Sequence, residues 1–188
     1  MIANHLGDAL AVTSLGTPGF DLFGATGPRD LTFYVWSAMG LASSVALGLA
    51  LARPERRVVV LDGDGSALMN LNGFATVGVR APRNLVHVIL DDGLYRETGG
   101  QSTATALGVD LAAVARATLI PSAVTVDTEA ALGAALTTAL TTDGPHVIVA
   151  KVTGPGATAR PPRDPLYCKH VFMRALGTEP ATLLRGRP

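Results

Sequence analysis

The chain has 188 residues, of which 48% are apolar and 5% aromatic, and its 15 Lys and Arg residues balance 15 Asp and Glu residues. This length suits one well-formed hydrophobic core, and the balanced charge gives no reason to expect a nucleic-acid partner or an anionic membrane surface. The single cysteine, Cys168, excludes an internal disulfide, and Met1–Leu15 does not resemble a signal peptide, so we expect a cytoplasmic protein.

Apolar runs along the chain alternate between strand-like and helix-like patterns. The predicted strands are Leu10–Leu15, Leu31–Trp36, Arg57–Asp62, Leu85–Asp91, Ala123–Val126 and Val147–Val152. The predicted helices between them are Gly40–Arg53, Ser66–Arg80, Asp110–Ala117 and Thr128–Thr141. Several of the strands are β-branched and lack polar alternation, which is typical of strands covered on both faces. The pattern predicts an α/β fold, a doubly wound parallel sheet of about six strands with helices on both faces.

Two further segments bear on the domain organisation. Ser37–Ala52 is uncharged but shorter than the roughly 18 residues that a membrane span needs, so we interpret it as a helix buried against the sheet. Gly154–Pro165 is rich in Pro and Gly and precedes a predicted short C-terminal helix. We therefore predict one α/β domain over residues 1–153, with a connector and a helix over residues 154–188 packed on it.

A glycine-flanked aspartate, Gly63-Asp64-Gly65-Ser66, follows the third predicted strand. Ligands of parallel sheets bind beyond the carboxyl ends of the strands, where this turn lies. Glycines let the backbone bend sharply and approach a ligand, and the free N–H groups at the start of a helix favour a phosphate group. The charge of Asp64 would repel a bare diphosphate, and a divalent cation that bridges the two removes this conflict.

A second acidic turn, Asp91-Asp92-Gly93-Leu94, follows the fourth predicted strand. Magnesium takes about six oxygen ligands in near-octahedral order. Asp64, Asp92 and the backbone carbonyl of Leu94 can supply part of this set, and a diphosphate and water can supply the remainder. The two turns therefore predict one magnesium–diphosphate site.

Other interpretations of the first turn compete with this one. Taken alone, Gly63–Ser66 is equally compatible with a structural turn whose aspartate is solvated. A calcium loop requires Gly and Glu at two positions where this chain has Ala67 and Gly73. A dinucleotide-binding fingerprint requires a glycine where this chain has Leu68. The second acidic turn favours the metal–diphosphate interpretation.

The segment from Gly63 to Leu94 resembles the diphosphate-binding motif of thiamine-diphosphate-dependent enzymes, in which GDG is followed some two dozen residues later by an Asn pair. The resemblance implies that thiamine diphosphate and Mg²⁺ are the cofactors. It also implies that Asp64 and Asp92 bind the metal through their side chains and Leu94 through its carbonyl. Gly63, Gly65 and Ser66 complete the diphosphate-binding turn.

Upstream residues extend this resemblance. Met39 matches the bulky apolar residue that holds the cofactor in its bent conformation, and the carbonyl of Ser37 matches the group that faces the aminopyrimidine. The loop at Thr17 resembles, more loosely, the loop that closes over the diphosphate. Within the superfamily the chain resembles the sulfopyruvate decarboxylase β subunit and phosphonopyruvate decarboxylase, and the segments that carry this likeness are Met39–Leu51, Asp62–Leu71, Leu90–Gln101 and Asp164–Leu176.

The resemblance implies decarboxylation of a small 2-oxo acid of the 3-sulfopyruvate or 3-phosphonopyruvate type, with release of carbon dioxide and an aldehyde. In this superfamily a glutamate on a separate pyrimidine-binding domain activates the cofactor, and we find no such domain in this chain. We therefore expect an active site shared with a pyrimidine-domain (α) subunit in a hetero-oligomer, and we assign no catalytic residue here. An acetolactate-synthase-like carboligase subunit and a non-catalytic regulatory subunit that binds the cofactor are the alternatives.

One departure from the family pattern is the pair Asp91-Asp92, which replaces two asparagines and adds negative charge near the predicted metal. Either the site tolerates the second carboxylate and binds magnesium more tightly, or the cofactor site is altered. His87 and His146 are interpreted as core histidines with a hydrogen-bond partner, and Cys168 as a packing residue. Arg96, next to the predicted metal loop, is interpreted as a surface arginine.

Overall fold

The computed structural model describes residues 1–178 and contains a six-stranded parallel sheet and a separate two-stranded hairpin. In chain order the strands are β1 (Leu10–Thr13), β2 (Thr32–Tyr34), β3 (Val58–Gly63), β4 (Leu85–Asp91), β5 (Leu94–Tyr95), β6 (Gln101–Ser102), β7 (Ser122–Val126) and β8 (His146–Lys151). The six strands predicted from the sequence are those of the parallel sheet, and β5 and β6 form the hairpin, which was not predicted.

Helices connect the strands of the sheet. They are α1 (Ile2–His5), α2 (Thr17–Thr26), α3 (Ala42–Ala52), α4 (Asp64–Met69), α5 (Leu71–Arg80), α6 (Leu111–Ala117), α7 (Glu129–Thr141) and α8 (Pro165–Ala175), with a 3₁₀ helix at Ala104–Leu107. Side-chain oxygens of Asp110, Thr128 and Asp164 accept hydrogen bonds from the first turns of α6, α7 and α8. These caps satisfy backbone N–H groups that have no partner within a helix, which explains where these helices begin.

The strand order in the sheet is β2-β1-β3-β4-β8-β7, with all neighbours parallel. Strand β2 lies next to β1 on one side, and β3 lies next to β1 on the other side, so the direction of the strand order reverses between them. The reversal leaves a crevice at the carboxyl ends of β1 and β3, which is where open α/β sheets bind their ligands.

Side chains of the central strands alternate between two buried layers. One layer packs on α3, α5, α6 and α8, and its strand residues include Leu10, Val12, Val58, Val60 and Ile89. The other layer packs on α1, α2 and α7, and its strand residues include Ala11, Val59, Leu61, Val88 and Ile148. Burial on both faces explains the uninterrupted apolar strands of the sequence. The predicted α/β fold, with helices on both faces of a parallel sheet, is confirmed.

Helices α1 and α2 were not predicted, and one predicted helix is divided. The single helix predicted over Ser66–Arg80 is divided into α4 and α5 at Asn70, whose φ of −134° and ψ of 48° are not helical. The Asn70 amide donates to the hydroxyl of Ser44 at 3.0 Å, so this side chain links the break to α3. Thr17, predicted to lie in a loop, is instead the first residue of α2. The apolar pattern of the sequence did not indicate this helix. Pro18 favours this start, because the first turn of a helix does not need the N–H that proline lacks.

The apolar segment Ser37–Ala52 contains α3, which has 11 residues. Ala42, Ala46 and Ala50 are buried against the sheet, and their small side chains allow close packing. Within residues 1–178 no helix is long and apolar enough to cross a membrane. This agrees with the interpretation of the segment as a core helix.

The predicted C-terminal helix is present as α8, after the connector. In the connector the carbonyl of Pro162 accepts a hydrogen bond from the indole of Trp36 at 3.0 Å. Phe172 of α8 packs on Phe33 of β2, with ring centroids 5.6 Å apart. Residues 179–188 of the predicted C-terminal segment lie outside the described residues.

Candidate functional site

An open cleft lies at the carboxyl ends of β1, β3, β4 and β8. The residues predicted to bind a cofactor that line it are Thr17, Met39, Gly63, Asp64, Gly65, Ser66, Asp92 and Leu94. Ser37 is not among the lining residues. It is exposed, in a left-handed turn with φ 59°, two residues before Met39. The structure thus brings together in one cleft the side chains of turns that lie far apart in the sequence.

The glycine turn forms one wall of the cleft, and α4 begins at Asp64 rather than at the predicted Ser66. A Cβ at Gly65 would lie 2.6 Å from the Tyr95 ring and 3.5 Å from the Met39 methyl group. Because a real Cβ does not approach an aromatic carbon so closely, this position has room only for glycine while Tyr95 keeps its place. The turn therefore presents bare backbone to the cleft beside an apolar wall.

Asp64 is buried, with 2% of its surface exposed, and its oxygens differ in their contacts. Oδ2 accepts hydrogen bonds from the hydroxyls of Thr103 at 2.6 Å and Thr105 at 2.9 Å. No hydrogen bond from another residue of the described part of the chain reaches Oδ1. Burial raises the pKa of Asp64 above its usual range, opposed by the two threonine hydrogen bonds. Such a carboxylate is held in place through one oxygen, and the other is available to a ligand.

Each aspartate of the Asp91-Asp92 pair forms an ion pair with a different basic side chain. Oδ2 of the buried Asp91 lies 2.5 Å from Nζ of Lys151, which comes from the neighbouring strand β8. Asp92 forms an ion pair with Arg96 and also accepts a hydrogen bond from the N–H of Leu94 at 3.0 Å. Arg96 is exposed, as expected of a surface arginine, and it also lines the cleft.

Three residues of this cluster were missed by the sequence analysis: Thr103, Thr105 and Lys151. The two threonines lie in the Gly- and Thr-rich loop after the second acidic turn, and their alternate spacing, which places both hydroxyls on Asp64, is the signal that was overlooked. Lys151 is the penultimate residue of the predicted strand Val147–Val152, but its pairing with Asp91 depends on β8 lying beside β4. The apolar runs of the sequence do not indicate which strands are neighbours in the sheet.

The remaining candidate side chains have structural contacts. His146 is buried, and its Nδ1 lies 2.6 Å from the Ser122 hydroxyl, as expected of a core histidine. His87 is also buried, and its Nε2 lies 3.3 Å from Asp62 Oδ2, but neither atom makes a hydrogen bond within the described part of the chain, so the predicted hydrogen-bond partner is not found there. Cys168 is buried, which raises the pKa of its thiol and agrees with a packing role.

The oxygen atoms around the cleft suit a metal cation that is also bound by an anionic ligand. Within residues 1–178 no three His, Cys, Asp or Glu side chains form a group that could hold a metal by themselves. Mg²⁺ is commonly bound by one or two carboxylates together with phosphate oxygens, and Asp64 and Asp92 both border the cleft. The buried hydroxyl of Ser14, also at the cleft, lacks a hydrogen-bond partner in the described part of the chain. These residues fit Mg²⁺ that arrives with a diphosphate.

Comparisons with solved structures support the fold. The chain is similar to benzoylformate decarboxylase from Polynucleobacter necessarius, with a TM-score of 0.68 and 22% sequence identity, over 81% of this chain and 32% of that one. At this identity the likeness establishes the architecture alone.

Sequence comparisons go further. Residues 15–150 match the family described as thiamine pyrophosphate enzyme, C-terminal TPP binding domain. The chain is 42% identical to a phosphonopyruvate decarboxylase of Streptomyces viridochromogenes, over 93% of this chain but only 44% of that protein. It is 36% identical to a sulfopyruvate decarboxylase subunit beta of Methanococcus maripaludis, over 94% of each chain. The chain therefore belongs to the thiamine-diphosphate-dependent decarboxylase family, of which it contains the cofactor-binding domain.

Proposed function

We propose that this chain is the thiamine-diphosphate- and magnesium-binding subunit of a two-subunit decarboxylase that acts on a small 2-oxo acid. The observation that carries the proposal is Asp64, a buried carboxylate at a glycine turn with one oxygen held by two threonines and the other without a hydrogen bond from another residue within residues 1–178. A second acid at the same cleft, Asp92, supports a shared cation.

Thiamine diphosphate, when bound, supplies the electron sink that decarboxylation of a 2-oxo acid requires. In this proposal Asp64, Asp92 and the carbonyl of Leu94 hold Mg²⁺, and the backbone from Gly63 to Ser66 receives the diphosphate. Met39, whose side chain borders the cleft beside Gly65, orients the cofactor and excludes water from its apolar part. This chain would bind and orient the cofactor, and proton transfer is assigned to residues of a partner.

The proposed two-subunit organisation is supported by the relatives. The Methanococcus protein, which the chain matches over 94% of both lengths, is named as a beta subunit. The Streptomyces protein is more than twice as long as the matched region, since the chain covers 44% of it. We propose that a pyrimidine-domain (α) subunit supplies the function of the remaining part, and that the cleft is completed when this partner docks.

The proposed substrates are 3-sulfopyruvate or 3-phosphonopyruvate, with carbon dioxide and an aldehyde as products. The names of the relatives support this class. The balanced charges of Asp91 and Asp92 weigh against an altered cofactor site, which was the main reason to consider a regulatory subunit.

The experiment is reconstitution of the chain with a candidate pyrimidine-domain subunit, with carbon dioxide release measured from pyruvate, sulfopyruvate and phosphonopyruvate. We expect turnover of a sulfonate or phosphonate substrate only when both subunits, thiamine diphosphate and Mg²⁺ are present. The Asp64→Ala variant with the same partner is the matched control and should be inactive. Robust turnover by the chain alone would contradict the shared active site.

A further inference from the structure

We propose that Asp91 is a positioning residue that fixes the Asp64 carboxylate through the hydroxyl of Thr105, and that Lys151 makes a carboxylate at position 91 compatible with cofactor binding. This inference rests on the proposed function and extends it to residues that do not themselves reach the cleft's ligands. It explains how the chain can carry an acid pair where the family motif has two asparagines.

A continuous chain of short contacts connects Lys151 with Asp64. Nζ of Lys151 lies 2.5 Å from Asp91 Oδ2, and Asp91 Oδ1 lies 2.8 Å from the Thr105 hydroxyl. The same hydroxyl is 2.9 Å from Asp64 Oδ2. Asp64, Asp91 and Thr105 are all buried, at 2%, 3% and 7% exposure, so water does not screen the contacts among them. The Lys151 side chain is 46% exposed, so its pair with Asp91 is partly screened.

The position of Asp91 is itself fixed from two sides. Its Oδ1 also accepts a hydrogen bond from the N–H of Gly93 at 3.2 Å, within the acidic turn. Its partner Lys151 stands directly opposite on β8, in the register of the parallel strands. Asp91 is therefore an anchor between the sheet and the loop that carries Thr105, and through that loop it limits the orientations open to Asp64.

Charge explains the requirement for Lys151. Asp91 and Asp64 both approach the single hydroxyl of Thr105, and a buried carboxylate without a nearby cation carries a large desolvation cost. With Lys151 in place, the Asp91–Lys151 pair has no net charge, as an asparagine would have. The Thr105 hydroxyl has a single proton, which Asp91 Oδ1 and Asp64 Oδ2 share in a three-centre hydrogen bond, so Asp91 orients the hydroxyl that Asp64 accepts from.

The test measures the affinity for thiamine diphosphate at saturating Mg²⁺ by calorimetry, without any activity assay. Lys151→Met should weaken binding by about tenfold, the size of effect expected when a partner of a metal ligand is disturbed, here through Asp91 and Thr105. Asp91→Asn combined with Lys151→Met restores both neutrality and the acceptor, and should recover affinity close to that of the original chain. Lys169→Met, at an exposed lysine of α8, is the matched control and should have no effect.

A second pair of variants separates positioning from charge balance. Thr105→Val removes the linking hydroxyl and leaves every charge unchanged, whereas Thr105→Ser retains the hydroxyl. We expect about a tenfold loss of affinity for the valine variant and near-normal affinity for the serine variant. The unfolding midpoints of the cofactor-free variants should not follow the same order as their affinities for thiamine diphosphate, because the proposed effect is on binding and not on fold stability.

The outcomes are distinct. Unchanged affinity in Lys151→Met or in Thr105→Val would overturn the positioning role while leaving the proposed function intact. Failure of Asp91→Asn to rescue Lys151→Met would overturn the charge-balance role of the lysine. If the unmodified chain does not bind thiamine diphosphate in the presence of Mg²⁺, the proposed function fails and this inference fails with it.

Discussion

The side-chain hydroxyl of Ser66 accepts a hydrogen bond from the backbone N–H of Gly40 at 3.0 Å in the buried interior. Gly40 follows Met39, and Ser66 lies two residues after Asp64, so this bond joins the apolar wall of the cleft to the predicted metal-binding turn. Gly40 has a φ of 86°, which a glycine adopts readily. The upstream and downstream parts of the family motif are thus held together as one structural unit.

Ser66→Ala should destabilise the fold by roughly 1–3 kcal/mol, because the buried N–H of Gly40 would lose its acceptor. It should also weaken binding of thiamine diphosphate, since Met39 would no longer be tied to the turn. Urea denaturation and calorimetry test the two effects. Ser44→Ala is the control: its hydroxyl also accepts one hydrogen bond, but at an exposed site where water can replace it. Equal losses in both variants would contradict the account.

Gly65→Ala should reduce cofactor affinity strongly, because its Cβ would lie 2.6 Å from the Tyr95 ring and must displace it into the cleft wall. Gly48→Ala is the matched control within α3, where an added Cβ meets no atom within 4 Å. This control should gain roughly 0.5–1 kcal/mol of stability, as Ala does relative to Gly in a helix. Calorimetry and thermal denaturation measure the pair, and normal binding by Gly65→Ala would show that the turn does not approach the ligand.

The raised pKa of Asp64, caused mainly by burial, predicts two pH effects of opposite sign. Since protons compete with Mg²⁺ for this carboxylate, affinity for Mg²⁺ and thiamine diphosphate should fall as the pH falls through the raised pKa. Without cofactor, the contribution of Asp64 to stability is present below its unfolded pKa and is lost as the pH rises through the folded pKa.

Asp64→Asn should abolish the pH dependence of stability that belongs to this group. The measurement is the free energy of unfolding of the cofactor-free chain and its Asp64→Asn variant across the acidic range. A difference between the two proteins that does not change with pH would contradict an Asp64 whose pKa is raised in the folded state.

Asp92→Asn restores the amide of the family motif and should retain magnesium-dependent binding, because an amide oxygen is also a ligand for a hard cation. Asp92→Leu removes the oxygen at similar volume and should reduce affinity for the cofactor at least about tenfold, as expected for loss of a group at the metal site. Calorimetry of both variants at the same Mg²⁺ concentration gives the comparison. If both bind equally well, Asp92 is not a metal ligand.

Much of this arrangement could be predicted from the sequence because the two acidic turns each end a strand. Parallel strands place their carboxyl ends at one edge of a sheet, which is sufficient to bring Asp64 and Asp92 to the same cleft. The apolar runs likewise predicted all six strands of the parallel sheet.

The parts that could not be predicted depend on tertiary contacts. The break at Asn70 coincides with an exposed side-chain contact to Ser44 of another helix, and the apolar pattern of the sequence gives no sign of it. The pairing of Lys151 with Asp91 requires the strand order, which the chain sequence does not display. The start of α2 at Thr17 has a local signal in Pro18, but the family likeness of the segment to a loop obscured it.

The most direct test of the central claim is calorimetric titration of the purified chain with thiamine diphosphate, in Mg²⁺ and again in excess chelator. If Asp64 and the diphosphate share a cation, binding should be measurable with Mg²⁺ and absent with the chelator, and Asp64→Ala should not bind in either condition. Equal binding in Mg²⁺ and in chelator, or normal binding by Asp64→Ala, would contradict the metal-bridged cofactor site.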